Sequence, residues 1–132
     1  MKNIQECRVV VIDDDVYKAI DITRALEYSK VKDVIRVRNQ EKAFESIYEN
    51  AENGGLIDII VTDMNYPLAS GEDADGEAGF KLLARLKEEK ISIPVIICSS
   101  RNYEEPEALG VVWYNELVDL DREFRKVLTK LE

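Results

Sequence analysis

The chain has 132 residues, a formal net charge of −9 and no histidine. Because so acidic a surface repels phosphate backbones, we expect no binding to nucleic acid, and the lack of histidine excludes Ser-His-Asp triads and His-ligated zinc sites. The length suits one domain, and we assign residues 1–132 to a single one. No apolar run could span a bilayer and no signal peptide is recognisable, so we expect a cytoplasmic protein without a membrane partner.

Apolar runs typical of buried strands alternate with segments of helical spacing. The predicted strands are Cys7–Ile12, Val31–Val37, Leu56–Thr62, Pro94–Ser99 and Val111–Tyr114. The apolar face predicted for the first helix consists of Val16, Ala19, Ile20, Thr23 and Leu26. This alternation predicts an α/β fold, a flavodoxin-like three-layer sandwich around a five-stranded parallel sheet in the order 2-1-3-4-5. Pro106 interrupts the short segment before the last strand, so the fourth helix is expected to be short or degenerate.

The two cysteines fall near opposite ends of predicted strands. Cys7 begins the first strand, and Cys98 stands near the end of the fourth. In a parallel sheet these positions lie toward opposite edges, too far apart for a disulfide. We therefore predict two buried, reduced thiols.

Three aspartates follow strands that the predicted sheet makes neighbours. Asp13 and Asp14 follow the first strand, and Asp63 follows the third. Each of them could simply cap the turn or helix that comes next. Three carboxylates converging at one sheet edge, however, oppose each other's ionisation unless a cation lies among them. The cluster therefore favours a site for a hard, oxygen-liking metal, most plausibly Mg²⁺.

The segment after Asp63 is long for a strand–helix connection and strongly acidic. Its simplest interpretation is an acidic insertion, residues 72–79, that overhangs the carboxylates and adds negative charge there. Residues 73–77 faintly resemble a calcium-binding loop but lack the full spacing and the terminal bidentate glutamate. We interpret them as a solvated, flexible loop.

Four motifs together resemble the receiver domain of bacterial response regulators, the phosphate-accepting module of two-component signalling. They are Val11–Asp15, Asp63–Pro67, Gly79–Leu83 and Pro94–Ser99. The resemblance covers almost the whole chain. It implies that Asp63 accepts a phosphoryl group from a histidine of a sensor kinase or phosphotransfer protein. It also implies that Asp14, Asp63 and the backbone carbonyl of Asn65 bind Mg²⁺ directly, and that Asp13 acts through water.

The resemblance assigns switch roles to two further positions. Ser99 would donate a hydrogen bond to a phosphoryl oxygen and move on activation. Tyr114 would be the aromatic residue whose rotamer follows Ser99, with Trp113 as the second choice. The alternatives are that Ser99 merely ends a strand and that both aromatic residues are ordinary packing.

One expected residue is missing. The family carries a lysine at the end of the last strand, which pairs with the phosphoryl group; here that position holds Asn115 or Leu117, depending on the alignment. No lysine occurs between Lys90 and Lys126. Arg101, two residues after Ser99, is the substitute that we hypothesise.

The resulting functional hypothesis is a stand-alone receiver domain, not an enzyme, that accepts a phosphoryl group on Asp63 and signals by contact with a downstream protein. The resemblance also allows a weak homodimer through the region from the fourth strand to the last helix, although we interpret the apolar stripe of that helix as core. A degenerate receiver, which would bind partners independently of phosphorylation, is the main alternative. A haloacid-dehalogenase-like phosphatase, for which Asp13–Val16 is a partial match, is the remaining one.

Overall fold

The computed structural model describes residues 3–131. The main sheet has five parallel strands: β1 (Arg8–Ile12), β2 (Asp33–Val37), β3 (Ile59–Thr62), β6 (Val95–Ser99) and β7 (Gly110–Trp113). Two further strands, β4 (Tyr66–Pro67) and β5 (Ala74–Asp75), form a separate hairpin. Their order is β2-β1-β3-β6-β7, which is the predicted 2-1-3-4-5 order once the hairpin is set aside. The flavodoxin-like prediction is therefore confirmed.

Four helices cover the two faces of the sheet: α1 (Val16–Tyr28), α2 (Gln40–Glu52), α3 (Ala78–Glu88) and α4 (Leu120–Leu128). Short 3-10 turns occupy Ile4–Glu6 and Thr129–Leu131. Side-chain oxygens of Asp15, Asn39 and Asp119 accept hydrogen bonds from free backbone N–H groups in the first turns of α1, α2 and α4. These caps explain why three helices begin where they do.

Strand side chains alternate between two cores. Val9 and Val11 of β1 point toward the layer of α1 and α4, whereas Val10 and Ile12 point toward α2 and α3. All four are fully buried, as expected for a parallel strand that is covered on both faces. Phe124, Val127 and Leu128 of α4 belong to the first core, so the apolar stripe of the last helix is core.

The segment between β6 and β7, which we call the crossover (residues 100–109), contains turns and no helix. This agrees with the expected degenerate fourth helix. The ring of Tyr103 instead packs against the core on the α2–α3 side and meets Phe80 of α3 edge-on at 5.7 Å between ring centres. The crossover therefore packs on the α2–α3 side with a few side chains rather than with a helical stripe.

The acidic segment after Asp63 forms an antiparallel hairpin of β4 (Tyr66–Pro67) and β5 (Ala74–Asp75). Of residues 73–77, interpreted above as a solvated, flexible loop, Ala74 and Asp75 thus lie in a paired strand. Lys81 of α3 lies 2.5 Å from the carboxylate of Asp75, and this contact lowers the pKa of Asp75. Part of the acidic charge is thus paired within the hairpin.

Cys7 and Cys98 are both buried and form no disulfide, as predicted. Cys7 lies before the start of β1, and Cys98 lies near the end of β6. Among the described residues, no helix is both long and apolar enough to cross a membrane.

Candidate functional site

The register of the central strands brings the three aspartates together. β1 and β3 pair with Ile12 opposite Thr62, so the residues that follow, Asp13 and Asp63, leave the sheet side by side. The backbone N–H of Asp63 continues the ladder by donating to the carbonyl of Ile12 at 3.0 Å. Carboxylate oxygens of Asp13, Asp14 and Asp63 lie within 4.8 Å of one another.

A fourth acidic residue separates this cluster from the first helix. Asp15 caps α1 by accepting hydrogen bonds from the N–H groups of Tyr17 and Lys18. Its own N–H donates to Asp13 Oδ1 at 2.9 Å, which orients the Asp13 carboxylate. Asp15 is thus the helix cap, whereas Asp13 caps only the turn before the helix, through Oδ1, and keeps Oδ2 for the cluster.

A lysine that the sequence reading missed lies inside the cluster. Lys18, in the first turn of α1, is 5% exposed. Its Nζ lies 2.9 Å from Asp13 Oδ2 and 3.0 Å from Asp63 Oδ1. It also donates a 2.7 Å hydrogen bond to the carbonyl of Cys98 at the end of β6. One ammonium thus joins β1, β3 and β6; we call Lys18 and the three aspartates the acidic corner.

Burial and charge oppose each other in the acidic corner. Burial raises the pKa of Asp13, and the nearby Lys18 ammonium offsets only part of that rise. For Lys18, burial favours the neutral amine, but the carboxylates of Asp13 and Asp63 outweigh it and raise its pKa. Lys18 is therefore an ammonium at neutral pH.

The acidic corner fits a magnesium ion. Three carboxylates and one ammonium leave two formal negative charges, which a divalent cation balances. Asp13 Oδ2 is buried, and among the described residues its one polar neighbour is the ion-paired Lys18 Nζ at 2.9 Å, so this oxygen can also take a metal ion as a partner. Carboxylate oxygens are the ligands that Mg²⁺ prefers.

The two oxygens of Asp63 have different surroundings. Oδ1 accepts the backbone N–H of Met64 at 2.7 Å and faces Lys18. No hydrogen bond from residues 3–131 reaches Oδ2. The Asp63 side chain is 15% exposed, whereas that of Asp13 is fully buried. Asp63 is therefore the better placed of these two to meet a reactant from solvent.

A buried hydrogen-bond network stabilises the end of the strand that carries Asp63. The hydroxyl of Tyr66 lies 2.9 Å from that of Thr62 and accepts a 3.3 Å hydrogen bond from the amide of Gln40. The same amide donates to the carbonyl of Ala78 at the start of α3. Burial raises the pKa of Tyr66 to about 12 despite both hydrogen bonds. These contacts tie β3, the hairpin, α2 and α3 together.

Ser99 and Tyr114 stand at the ends of the next two strands. Ser99 is buried, and its Oγ accepts the backbone N–H of Arg101 at 3.2 Å. The backbone N–H of Tyr114 donates to the carbonyl of Ser99 at 2.7 Å, and its hydroxyl donates to Asp21 of α1. The ring of Tyr114 lies 5.6 Å from Lys18 Nζ, a cation–π distance. Trp113, the second choice for the switch, is 47% exposed and donates to the carbonyl of Ser100.

A family model described as the response regulator receiver domain matches residues 9–112. The chain belongs to this family. No curated protein matches it.

Solved structures of response regulators share this fold. A two-component response regulator from Cytophaga hutchinsonii is 22% identical with a TM-score of 0.67, covering 92% of this chain and 96% of its own. The chemotaxis response regulator CheY4 of Vibrio cholerae is 15% identical with a TM-score of 0.64, covering 92% and 98%. RcsB from Salmonella enterica serovar Typhimurium, bound to promoter P1flhDC in the presence of the phosphomimetic BeF₃⁻, is 16% identical with a TM-score of 0.68, covering 95% and 59%. At these identities the likeness shows the fold alone.

Arg101 and Asn65 are exposed residues in the loops beside the acidic corner. The Arg101 side chain is exposed and forms no ion pair with any residue in the described range 3–131. Lys18, rather than Arg101, is the cation that reaches Asp63. Asn65 is exposed in the bend two residues after Asp63. Its carbonyl as a metal ligand, like the role of Arg101, stays a prediction.

The strand-end position of the family lysine is occupied by a polar turn. The side-chain oxygen of Asn115 accepts the N–H of Leu117 at 2.8 Å, and its amide donates to the carbonyl of Trp113. Leu117 itself is 95% exposed. Neither residue offers a positive charge, so this receiver domain departs from the family pattern at the end of β7.

Proposed function

We propose that this receiver domain accepts a phosphoryl group on Asp63, with Mg²⁺ held by Asp13, Asp14 and Asp63. The donor would be a phosphohistidine of a sensor kinase or of a phosphotransfer protein. The observation that carries the proposal is the convergence of three carboxylates within 4.8 Å, among them Asp63, whose Oδ2 accepts no hydrogen bond from residues 3–131. Membership of the receiver family supports the same assignment.

The proposed reaction is a displacement at phosphorus. Asp63 Oδ2 attacks the phosphoryl group in line, forming an O–P bond while the P–N bond to the donor histidine breaks and the nitrogen keeps the electron pair. The N–H of Met64 holds Oδ1 and thereby fixes the carboxylate plane. Bound magnesium would neutralise charge on the phosphoryl oxygens. The residues thus supply mainly positioning and charge balance.

Ser99 is placed to respond to the new dianion. Its Oγ accepts the N–H of Arg101, and among residues 3–131 it has no acceptor for its own proton. We therefore propose that the Ser99 hydroxyl turns to donate to a phosphoryl oxygen, which releases the N–H of Arg101. The crossover, residues 100–109, would then shift and change the surface offered to a downstream protein.

The test uses acetyl phosphate as a small donor. The protein is incubated with Mg²⁺ and acetyl phosphate, and intact mass is measured under acidic conditions. We expect one base-labile phosphoryl adduct, which Asp63→Asn abolishes. Asp73→Asn, which removes an exposed hairpin carboxylate of the same charge, serves as the matched control and should keep the adduct.

Two other results would replace the proposal. Bound Mg²⁺ without any adduct would indicate a degenerate receiver that acts as a phosphorylation-independent binding module. Repeated turnover of a phosphate ester would indicate a phosphatase, because an acceptor of the proposed kind stores the phosphoryl group rather than releasing it through many cycles.

A further inference from the structure

We infer that Lys18 provides, from the first turn of α1, the positive charge that meets the phosphoryl group on Asp63. The inference rests on the proposed phosphoacceptor function and names a phosphoryl-binding residue for it. Its observation is the buried Nζ of Lys18, which lies 3.0 Å from one oxygen of Asp63 and 2.9 Å from Asp13. Among residues 3–131, Lys18 alone forms an ion pair with any carboxylate of the acidic corner.

The ammonium is held in position before any phosphoryl group arrives. The carbonyl of Cys98 accepts one of its hydrogen bonds at 2.7 Å, and the ring of Tyr114 lies on another side at 5.6 Å. The backbone N–H of Lys18 donates to the cap residue Asp15, which fixes the base of the side chain. A long side chain so restrained loses little further entropy when it binds an anion.

Phosphorylation changes which anion faces Lys18. The reaction converts the Asp63 carboxylate into an uncharged acyl group and places a phosphoryl dianion on Oδ2. Lys18 then loses a charged partner at Oδ1 but gains a doubly charged one attached to the same side chain. Because Asp13 remains as its second partner, the ammonium needs to shift only from one side of Asp63 toward the other. In this buried setting a charge-assisted hydrogen bond is stronger than it would be in water.

A purely structural role is the competing explanation. Lys18 could serve only as a counter-ion that keeps three carboxylates together when no metal is bound. The two roles predict different responses to loss of its charge. A counter-ion competes with Mg²⁺ for the same carboxylates, so removing it strengthens metal binding. A phosphoryl ligand also cooperates with Mg²⁺ on the phosphoryl group, so removing it weakens binding of a phosphoryl analogue.

The experiment therefore compares two affinities in the full chain. Mg²⁺ binding, and then beryllofluoride binding at saturating Mg²⁺, are titrated by fluorescence of Trp113, the only tryptophan, whose indole is bonded to the carbonyl of Ser100. Calorimetry repeats both titrations independently of the fluorophore. The variants are Lys18→Met, which keeps the length without the charge, and Lys18→Arg, which keeps the charge. Arg101→Met tests the rival cation that the sequence predicted.

We expect Lys18→Met to bind Mg²⁺ more tightly and beryllofluoride roughly 10- to 100-fold more weakly, the range for losing a hydrogen bond to a charged group. Lys18→Arg should retain part of the beryllofluoride affinity, and Arg101→Met should match the wild type. If Lys18→Met binds both ligands more weakly, or binds beryllofluoride as tightly as the wild type does, the inference is overturned. So would a loss seen in Arg101→Met instead.

Failure of the proposed function is distinguishable from failure of the inference. If the wild type binds Mg²⁺ but neither beryllofluoride nor a phosphoryl group, the phosphoacceptor assignment falls and the role of Lys18 falls with it. If the wild type binds beryllofluoride and Lys18→Met binds it equally well, only the inference is lost. Urea unfolding checks that each variant is folded. Should Lys18→Met not fold, Lys18→Gln, which keeps a donor for the carbonyl of Cys98, replaces it in both titrations.

Discussion

The acidic corner and the crossover lie beside each other at the carboxyl ends of the strands, but they are built in opposite ways. In the acidic corner a lysine that is 5% exposed contacts two carboxylates and a strand carbonyl. The crossover lacks a helix, and its one cation, Arg101, is exposed and forms no ion pair within residues 3–131. A charge surrounded by water is screened, whereas a buried one acts strongly on its neighbours. The acidic corner thus supplies a buried positive charge beside Asp63, whereas the crossover leaves its only cation in water.

The largest expected effect comes from removing the buried charge. Lys18→Met leaves Asp13 as an uncompensated buried carboxylate, so we expect the free energy of unfolding without metal to fall by about 3 kcal/mol. Urea unfolding in EDTA measures this loss. Added Mg²⁺ should recover part of it, because the metal supplies positive charge to the same carboxylates.

Arg101→Met should leave the urea midpoint unchanged under both conditions, since the exposed guanidinium has no ion-pair partner in the described chain. Equal losses for the two variants would contradict the contrast between the acidic corner and the crossover. A Lys18→Met protein as stable as the wild type in EDTA would do the same.

The next effect tests how closely α3 approaches the phosphoacceptor. A Cβ added at Gly79 would lie 3.0 Å from the Asp63 carbonyl oxygen and 3.0 Å from Met64 Sδ. Gly79→Ala should therefore lower the free energy of unfolding by about 2 kcal/mol, the usual cost of overpacking. It should also slow formation of the phosphoryl adduct, because the backbone that carries Asp63 must shift.

Gly76→Ala is the matched control, since nothing lies within 4 Å of the Cβ it would gain. Gly76→Ala should change neither the urea midpoint of unfolding nor the rate at which the phosphoryl adduct forms. If both alanine variants behave alike, the close contact between α3 and the strand end is not a constraint on Asp63.

The fold was predictable because its three central strands, β1, β3 and β6, are buried on both faces. Continuous apolar runs such as Val9–Ile12 are followed by an aspartate, and the predicted sheet order then places Asp13 beside Asp63. The hairpin was not predictable, because the two-residue strands Tyr66–Pro67 and Ala74–Asp75 are too short to carry a periodic pattern. Its pairing depends on tertiary contacts such as the one between Gln40 and Tyr66.

Lys18 was missed because the buried face of the first helix was placed wrongly. Val16, predicted to be core, is 50% exposed. The buried face consists of Lys18, Ala19, Ile22, Ala25 and Leu26. A lysine on an otherwise apolar stripe contradicts a purely hydrophobic pattern, since lysine is seldom buried without a partner. The usable signal was the combination of this stripe with Asp13 and Asp14 one turn earlier and Asp63 on the neighbouring strand, since three converging carboxylates require a cation.

A smaller effect tests whether water is excluded from the acidic corner. Burial raises the pKa of the Cys98 thiol from 9.0 to about 12, and Lys18 offsets only part of that rise. The folded protein therefore keeps a proton that the unfolded chain loses, so the free energy of unfolding falls as pH rises from 9.0 through about 12. Cys98→Ala removes this component. The stability difference between wild type and variant should change by about 1 kcal/mol between about pH 9 and about pH 10.

Urea unfolding at a series of alkaline pH values gives this difference directly. Tyr66, whose pKa burial raises to about 12, titrates in both proteins and cancels. If the free energy of unfolding depends on pH in the same way for wild type and Cys98→Ala, water reaches Cys98 and therefore the part of the acidic corner next to it.

The smallest effect concerns Tyr114, which connects the two regions. Its backbone N–H donates a hydrogen bond to the carbonyl of Ser99 beside the crossover, whereas its hydroxyl donates one to the carboxylate of Asp21 on α1. Tyr114→Phe keeps the ring near Lys18 and removes only the hydroxyl, so we expect a loss of about 0.5 kcal/mol in a partly exposed pair. Asp21→Leu should produce a similar loss, and the double variant should lose no more than either single one if the two side chains act only through this bond.

Beryllofluoride binding then decides whether Tyr114 is packing or a switch. We expect Tyr114→Phe to bind within about twofold of the wild type, because the ring that faces Lys18 stays in place. Binding several-fold tighter would mean that activation has to break the bond to Asp21, since removing an interaction made only in the inactive state favours the active one. In that case the crossover does not move alone. The signal also reaches α1 through Tyr114, whose ring lies beside Lys18 of that helix.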